Sequence, residues 1–259
     1  MGLYEELGMA DILTQVAQRQ LDEGKWKLDN ENKIKYKLAH PVNSGWDIKF
    51  DNHERDCVRW LHIYFLQLYK KLPPPCMGCF KVVVIPETLT DLFKVHDLQK
   101  KMKLHSKCGI EQRAYTPRLY GAYWYAPLGC SIEEAQRLAA RVKAEVDKLF
   151  SGRVKVLLKR ACTEMEIQYG DSDKWQLTEH DEFHFRLFDS VFAQVPNRKE
   201  SPSFRTTHTL KQWIEFAFEH GDETARKYMD EPLVKPPVDY MNDTHGIGES
   251  ELEELDYEK

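Results

Sequence analysis

From Phe80 to Arg160 the chain switches between two hydrophobic periods in an order that few architectures accommodate. FKVVVI at 80–85 reads as a strand, Thr88 to Lys103 as a helix, GIEQRAY and LYGAYWY as two strands, Ser131 to Phe150 as a helix, and VKVLLKR as a strand. The succession β-α-β-β-α-β is that of the split βαβ, or ferredoxin-like, unit, in which four antiparallel strands carry two helices on one face. The stretch from Cys79 to Cys162 has about the length such a unit needs. The expected fold class is therefore α+β, with a ferredoxin-like centre, helices added at both ends and a cysteine-rich metal site at one end of the sheet.

The flanks carry helical signals. Asp51 with Glu54 resembles a capping box, and Val58, Leu61, Phe65, Leu68 and Leu72 then recur every three or four residues until Pro73-Pro74-Pro75 stops the pattern. Trp60, Ile63, Tyr64 and Leu66 make the other faces apolar, so this helix should be buried, with Cys57 inside it as a small apolar side chain. Ser131 with Glu134 opens the helix of Ala135, Leu138, Val142 and Val146. Phe183, Leu187, Val191 and Phe192 mark another, and Leu210, Trp213, Ile214 and Ala217 a last one ended by Gly221. The organisation expected is an N-terminal segment at 1–75, the metal-tied unit at 76–162, a helical segment at 163–231 and a flexible acidic tail at 232–259.

No apolar run reaches the roughly 18 residues a membrane span requires. MGLYEELGMADIL lacks a secretory n-region, and Glu6 stands where a myristoylation motif has Ser or Thr, so an intracellular, non-secreted product is expected. The net charge of −5 resides in residues 249–259, which carry six acidic groups and one lysine. That tail favours solubility or a protein partner. Residues 94–118 carry seven cations against Asp97 and Glu111, the footprint expected for nucleic acid or another polyanion.

Five of the six cysteines gain meaning once threaded on the expected topology. Cys76 and Cys79 precede the first strand, Cys108 the second, Cys130 follows the third and Cys162 the fourth, so all fall toward one sheet end. Cys76-Met-Gly-Cys79 has the spacing by which two thiolates bind one ion, and Gly78 permits the turn. The expected ligands are Cys76, Cys79, Cys108 and Cys130, with His105 and Cys162 in reserve. The expected metal is zinc, with an iron–sulfur cluster as the alternative and packed, unligated thiols as the simplest competing account.

Arg118 to Tyr125 lies where RNA-recognition modules keep an aromatic octet. It fits that pattern at Arg118, Tyr120, Gly121 and Tyr125 and departs from it at Leu119, Ala122 and Tyr123, and the first strand lacks an aromatic, so membership does not follow. A basic, aromatic sheet face remains, with Lys101, Lys103, Lys107, Arg113, Arg118, Lys155 and Lys159 for phosphates and Tyr120 and Trp124 for stacking. Burial of those aromatics under the flanking helices is the competing expectation.

Two further constellations carry chemistry. His180 and His184 stand one helical turn apart, but Asp181 replaces the glutamate of zinc peptidases, and a capped helix start explains them as well. Glu164, Glu166, Asp171 and Asp173 offer carboxylates for a magnesium-dependent phosphodiesterase. No phosphate loop, dinucleotide fingerprint or nucleophile elbow occurs. The leading expectation is a non-enzymatic binding or assembly protein for nucleic acid or another polyanion. A metal-dependent nuclease and a structural component of a protein assembly are the alternatives.

Overall fold

The structure is a computed structural model that describes residues 15, 17–36, 45–52, 54–193 and 203–230. The acidic tail lies outside the described residues. The chain is mixed helix and sheet. Strands β1 (Trp26–Leu28) and β2 (Ile34–Tyr36) form a small hairpin. Strands β3 (Trp46–Lys49), β4 (Phe80–Ile85), β5 (Ser106–Ile110), β6 (Tyr120–Tyr125) and β7 (Lys155–Arg160) form a five-stranded sheet in the order β3-β5-β6-β4-β7, antiparallel throughout.

The β-branched run of β4 places it next to the sheet centre, where five of its six residues are buried. Helices α1 (Leu89–Met102) and α2 (Ile132–Phe150) connect the strands and pack on one sheet face. Thr88 caps α1 by accepting from the Asp91 N–H. Ser131 and Glu134 close the expected capping box on α2, where the Ser131 hydroxyl accepts from the Glu134 N–H and the Glu134 carboxylate from the Ser131 N–H. Val82, Val84, Ala122 and Trp124 from the sheet meet Leu92, Val95, Val142 and Val146 from these helices. Helix α5 (Ser203–Glu219) seals this core with Trp213, whose indole N–H donates to the Gly45 carbonyl at 2.8 Å.

The fit at that corner is close. Gly109 of β5 lies under the β3 entry, and a Cβ there would stand 1.9 Å from the Gly45 oxygen. Short α3 (Thr163–Tyr169) and α4 (Glu179–Val191) complete the other side with a π-helix at Val58–Tyr69. Trp60, Leu61 and Phe65 of the π-helix meet Met165 and Trp175, while Ile63 and Tyr64 meet Phe188 and Phe192. Among the described residues no helix is long and apolar enough to cross a membrane.

Three local expectations change. The first flanking helix starts at Val58, not near Asp51, and is π-wound; its buried residues cluster as 59–61 and 63–65, a wider repeat than an α-helix gives. The second central strand ends at Ile110, because residues 111–119 fold into a loop closed by the Glu111 N–H donating to the Leu119 carbonyl. Strands β1, β2 and β3 are additions whose three or four residues carry too little periodicity to stand out.

Candidate functional site

Alternation along β6 decides which aromatic side chains can meet a ligand. Tyr120, Ala122 and Trp124 point to the helix-covered face and are fully buried. The Tyr120 hydroxyl donates to Asp222 at 2.6 Å, inside the core. Tyr120 and Trp124 are thus not the stacking platform expected from the sequence: the face they share is the one that α1, α2 and α5 cover. Tyr123 and Tyr125 occupy the far face, and cross-strand register puts Lys107 opposite Tyr123, Lys81 opposite Tyr125 and Lys159 opposite Lys81.

On that far face, three cations surround one ring. The Lys81 and Lys107 ammonium groups and the Arg118 guanidinium lie 5.4, 5.3 and 5.9 Å from the centroid of Tyr123. Lys107 also sits 4.6 Å from the ring of Trp46, which β3 lays across Gly121, where a side chain would crowd the indole. Arg118 and Arg113 donate to the Tyr123 hydroxyl at 2.8 and 3.2 Å. Among the described residues, no carboxylate lies within ion-pair distance of Lys81, Lys107 or Arg118. Arg113 is different, since it forks onto Glu111 and reaches Glu164 at 3.3 Å.

The electrostatics follow from this crowding. Burial, and then the neighbouring charge of Lys81, lower the Lys107 pKa. The same two causes bring Lys159 to about 8 even though it pairs with Glu166. Burial alone would raise Glu111 and Glu164, but Arg113 and, for Glu164, Tyr115 outweigh it and hold both below the usual carboxylate value. Beside this patch, Glu111, Arg113, Thr116, Arg118, Phe216 and His220 line an open cleft of about 470 Å³. Two buried polar atoms there, Arg118 Nε and Thr116 Oγ1, have no hydrogen-bond partner among the described residues.

The remaining expected contacts divide. Lys107, Arg113, Arg118, Lys155 and Lys159 belong to the far face or its rim. Lys101 and Lys103 end α1 on the opposite side, where Lys101 faces Glu145 at 3.6 Å. The basic stretch at 94–118 is thus continuous in sequence and split in space. Lys81, Trp46 and Tyr123 escaped the sequence reading, although the period-two pattern already placed Lys81 and Tyr123 away from Val82 and Trp124.

The cysteines rearrange as well. Cys108 is buried on the helix face, paired across the sheet with Ala122 and Asp47, and stands apart from Cys76 and Cys79. Cys130 lies in the loop after β6, near Glu134 and Arg55 and within electrostatic reach of Cys79, and the Gly129 N–H of that loop donates to the Gly78 carbonyl at 3.0 Å. Cys162 packs in the same apolar cluster as Cys76, and Cys57 and Cys76 both lie within electrostatic reach of Cys79 and Cys162. Cys57 is exposed at the rim yet ringed by protein, and burial followed by Cys162 and Cys79 pushes its thiol up to about 12. Burial, then Cys162, Cys79 and Cys57, raise Cys76. Among the described residues no group of three or more His, Cys, Asp or Glu side chains is arranged to hold a metal ion. His105 turns to Asn52, Asp51 and the Tyr125 ring.

The nuclease carboxylates do not converge. Glu164 is taken by Arg113 and Tyr115, Glu166 by Lys159, and Asp171 by Lys174. His180 and His184 begin α4, whose capping box is formed by Thr178 and Asp181, and His184 is buried and stacked on Tyr69. No family model, curated protein or solved structure matches this chain.

Proposed function

We propose that the chain is a non-enzymatic binding protein for a phosphate-bearing polyanion, single-stranded nucleic acid in the first instance, received on the far face of a ferredoxin-like unit. The strand order β5-β6-β4-β7, with α1 and α2 on one face, supports that unit. One observation carries the function: Lys81, Lys107 and Arg118 gather around Tyr123, and among the described residues none of the three is ion-paired with a carboxylate, Glu111 reaching the Tyr123 hydroxyl at 3.4 Å instead. Partly buried cations crowded in this way repel one another and lose hydration, so an incoming anion recovers energy that the protein alone does not. Arg118 Nε and Thr116 Oγ1 offer unused hydrogen-bonding capacity beside them. Tyr115, which is exposed on the rim, and Trp46 add rings for bases.

The test is the salt dependence of binding to a labelled single-stranded oligonucleotide. Lys107→Glu with Arg118→Glu should weaken binding at least about tenfold and lower the slope of log affinity against log salt by about 0.7 for each phosphate that the variant no longer neutralises. Lys101→Glu with Lys103→Glu, on the opposite side, should change affinity less than about twofold. Absence of binding at about 50 mM salt, where counterion release favours association, refutes the proposal.

A further inference from the structure

Trp213 and Ala217 turn one side of α5 into the core, and Phe216 and His220, one helical turn apart, emerge beside it to line the cleft. His220 is exposed, yet its ring is held in place. It stacks on Phe216 with centroids 3.9 Å apart and planes 26° from parallel, and its Nδ1–H donates to the Phe216 carbonyl at 2.8 Å. A carbonyl at Nδ1 makes that nitrogen the donor, so Nε2 is left for an outside group. An exposed ring fixed in this way loses little conformational entropy when a second ring stacks on it.

The rest of the lining comes from the loop 111–119, closed at its base by the Glu111 N–H on the Leu119 carbonyl at 2.7 Å. The cleft of about 470 Å³ between loop and helix has the size of a small-molecule site. Arg118 commits only Nη2 to the protein, on the Tyr123 hydroxyl at 2.8 Å. Its Nε and Thr116 Oγ1 are enclosed in the cleft wall with no hydrogen-bond partner among the described residues, an unspent capacity that an entering oxyanion satisfies once either side chain rotates toward it. Glu111 does not meet that need, because Arg113 holds its two carboxylate oxygens at 2.6 and 2.5 Å. The cleft therefore offers a cation and a hydroxyl from the loop and a flat ring from the helix.

We propose that this cleft is a pocket for a nucleoside monophosphate group, its phosphate taken by Arg118 and Thr116 and its base stacked on His220. A phosphate monoester suits these donors better than the diester of a strand interior, because it has a third terminal oxygen and a charge of about −1.5 to −2 at neutral pH. Arg118 also touches the Tyr123 ring that Lys81 and Lys107 surround, so a phosphorylated strand end seated here runs on over that patch. A free nucleotide is the other source of the same group. The strand-end source rests on the polyanion reading, whereas the pocket itself does not.

The experiment titrates the full chain with adenosine monophosphate and with adenosine while following the imidazole NMR resonance of His220, assigned by its loss in His220→Ala. The monophosphate should move that resonance and bind at least about tenfold tighter than adenosine, the worth of a hydrogen bond to a charged group. Thr116→Val should lower that ratio at least about threefold, and Thr116→Ser, which keeps the hydroxyl, should retain it. Far-UV circular dichroism shows whether each variant is folded. A His220 resonance unmoved by the monophosphate, equal affinity for the two compounds, or an unchanged ratio in folded Thr116→Val protein would each overturn the pocket. Labelled oligonucleotides of one sequence, phosphorylated at one end, at the other or at neither, identify the source. A gain of about tenfold for a phosphorylated end assigns the strand end, and equal binding of all three assigns the free nucleotide. If no strand binds while the monophosphate still moves His220, the polyanion reading falls and the pocket stands.

Discussion

Removing the Tyr120 hydroxyl separates a structural role from a ligand-binding one. In the structure that hydroxyl donates to Asp222 Oδ2 at 2.6 Å, and the same oxygen accepts the Leu89 N–H at 2.6 Å. Asp222 Oδ1 accepts from the Thr224 N–H at 2.9 Å and the Thr224 hydroxyl at 2.8 Å. One carboxylate thus ties the start of α1, the first residue of β6 and the turn after α5. Tyr120→Phe deletes one buried hydrogen bond to a charged group and keeps the ring, which costs about 2 kcal/mol. For a domain of this size that lowers Tm by about 4–8 °C.

Asp222→Ala should cost more, about 3–5 kcal/mol, because the Tyr120 hydroxyl and the Leu89 N–H are left without an acceptor. In the double variant the two losses should fall short of additive by about 1–2 kcal/mol. The assay is urea and thermal unfolding of the four proteins, with oligonucleotide binding measured in parallel. Tyr120→Phe should leave binding unchanged. A Tyr120→Phe protein of unaltered stability, or one that binds less well while equally stable, refutes this placement of the ring.

Two further outcomes follow from the geometry. Gly109→Ala drives a methyl group into the Gly45 backbone oxygen, so it should destabilise by about 2–3 kcal/mol in urea unfolding, whereas Gly152→Ala, with nothing within 4 Å, should show only the strain of its positive φ. Acid should unfold the protein through Asp47, Asp91 and Asp222: burial raises each, but partners on His96, Lys49, Arg153, Tyr120 and Thr224 outweigh it and hold all three below the usual value. Groups lowered in this way stabilise the fold fully above about pH 4 and lose that contribution as pH falls through their folded values, so Asp47→Ala should give a lower neutral stability and a shallower acid slope.

How far the sequence revealed the molecule depends on the range of the signal. Ser131 with Glu134 and the Val142–Val146 stripe are local, and the helix they foretell is present. Strand parity was legible too, since Val82 and Lys81 must face opposite ways. Which face the helices take is not a local matter: both faces of β6 carry tyrosine, and only the packing of Trp213 and Ala217 against Tyr120 and Trp124 settles it. The same holds for the cysteines. Cys76 and Cys79 announce themselves by spacing, but Cys57 sits ahead of a helix whose π winding no α-period predicts, and Cys108 is turned inward by the parity of β5.

The sheet ends in two different ways at its margins, and this bears on how the protein survives at high concentration. Among the described residues β7 is one margin, and its exposed Lys155 puts positive charge where a second chain would have to align, while Lys159 and Arg160 turn to Glu166 and the Ser172 carbonyl. β3 is the other; it is four residues long and carries Asp47 inward, held by His96 and Lys49. Short length, inward charge and lysine are the devices by which unpaired backbone avoids templating ribbon-like self-association. Edges built in this manner disfavour the addition of a further strand from another copy, so the hydrogen-bonded framework is discouraged from growing sideways.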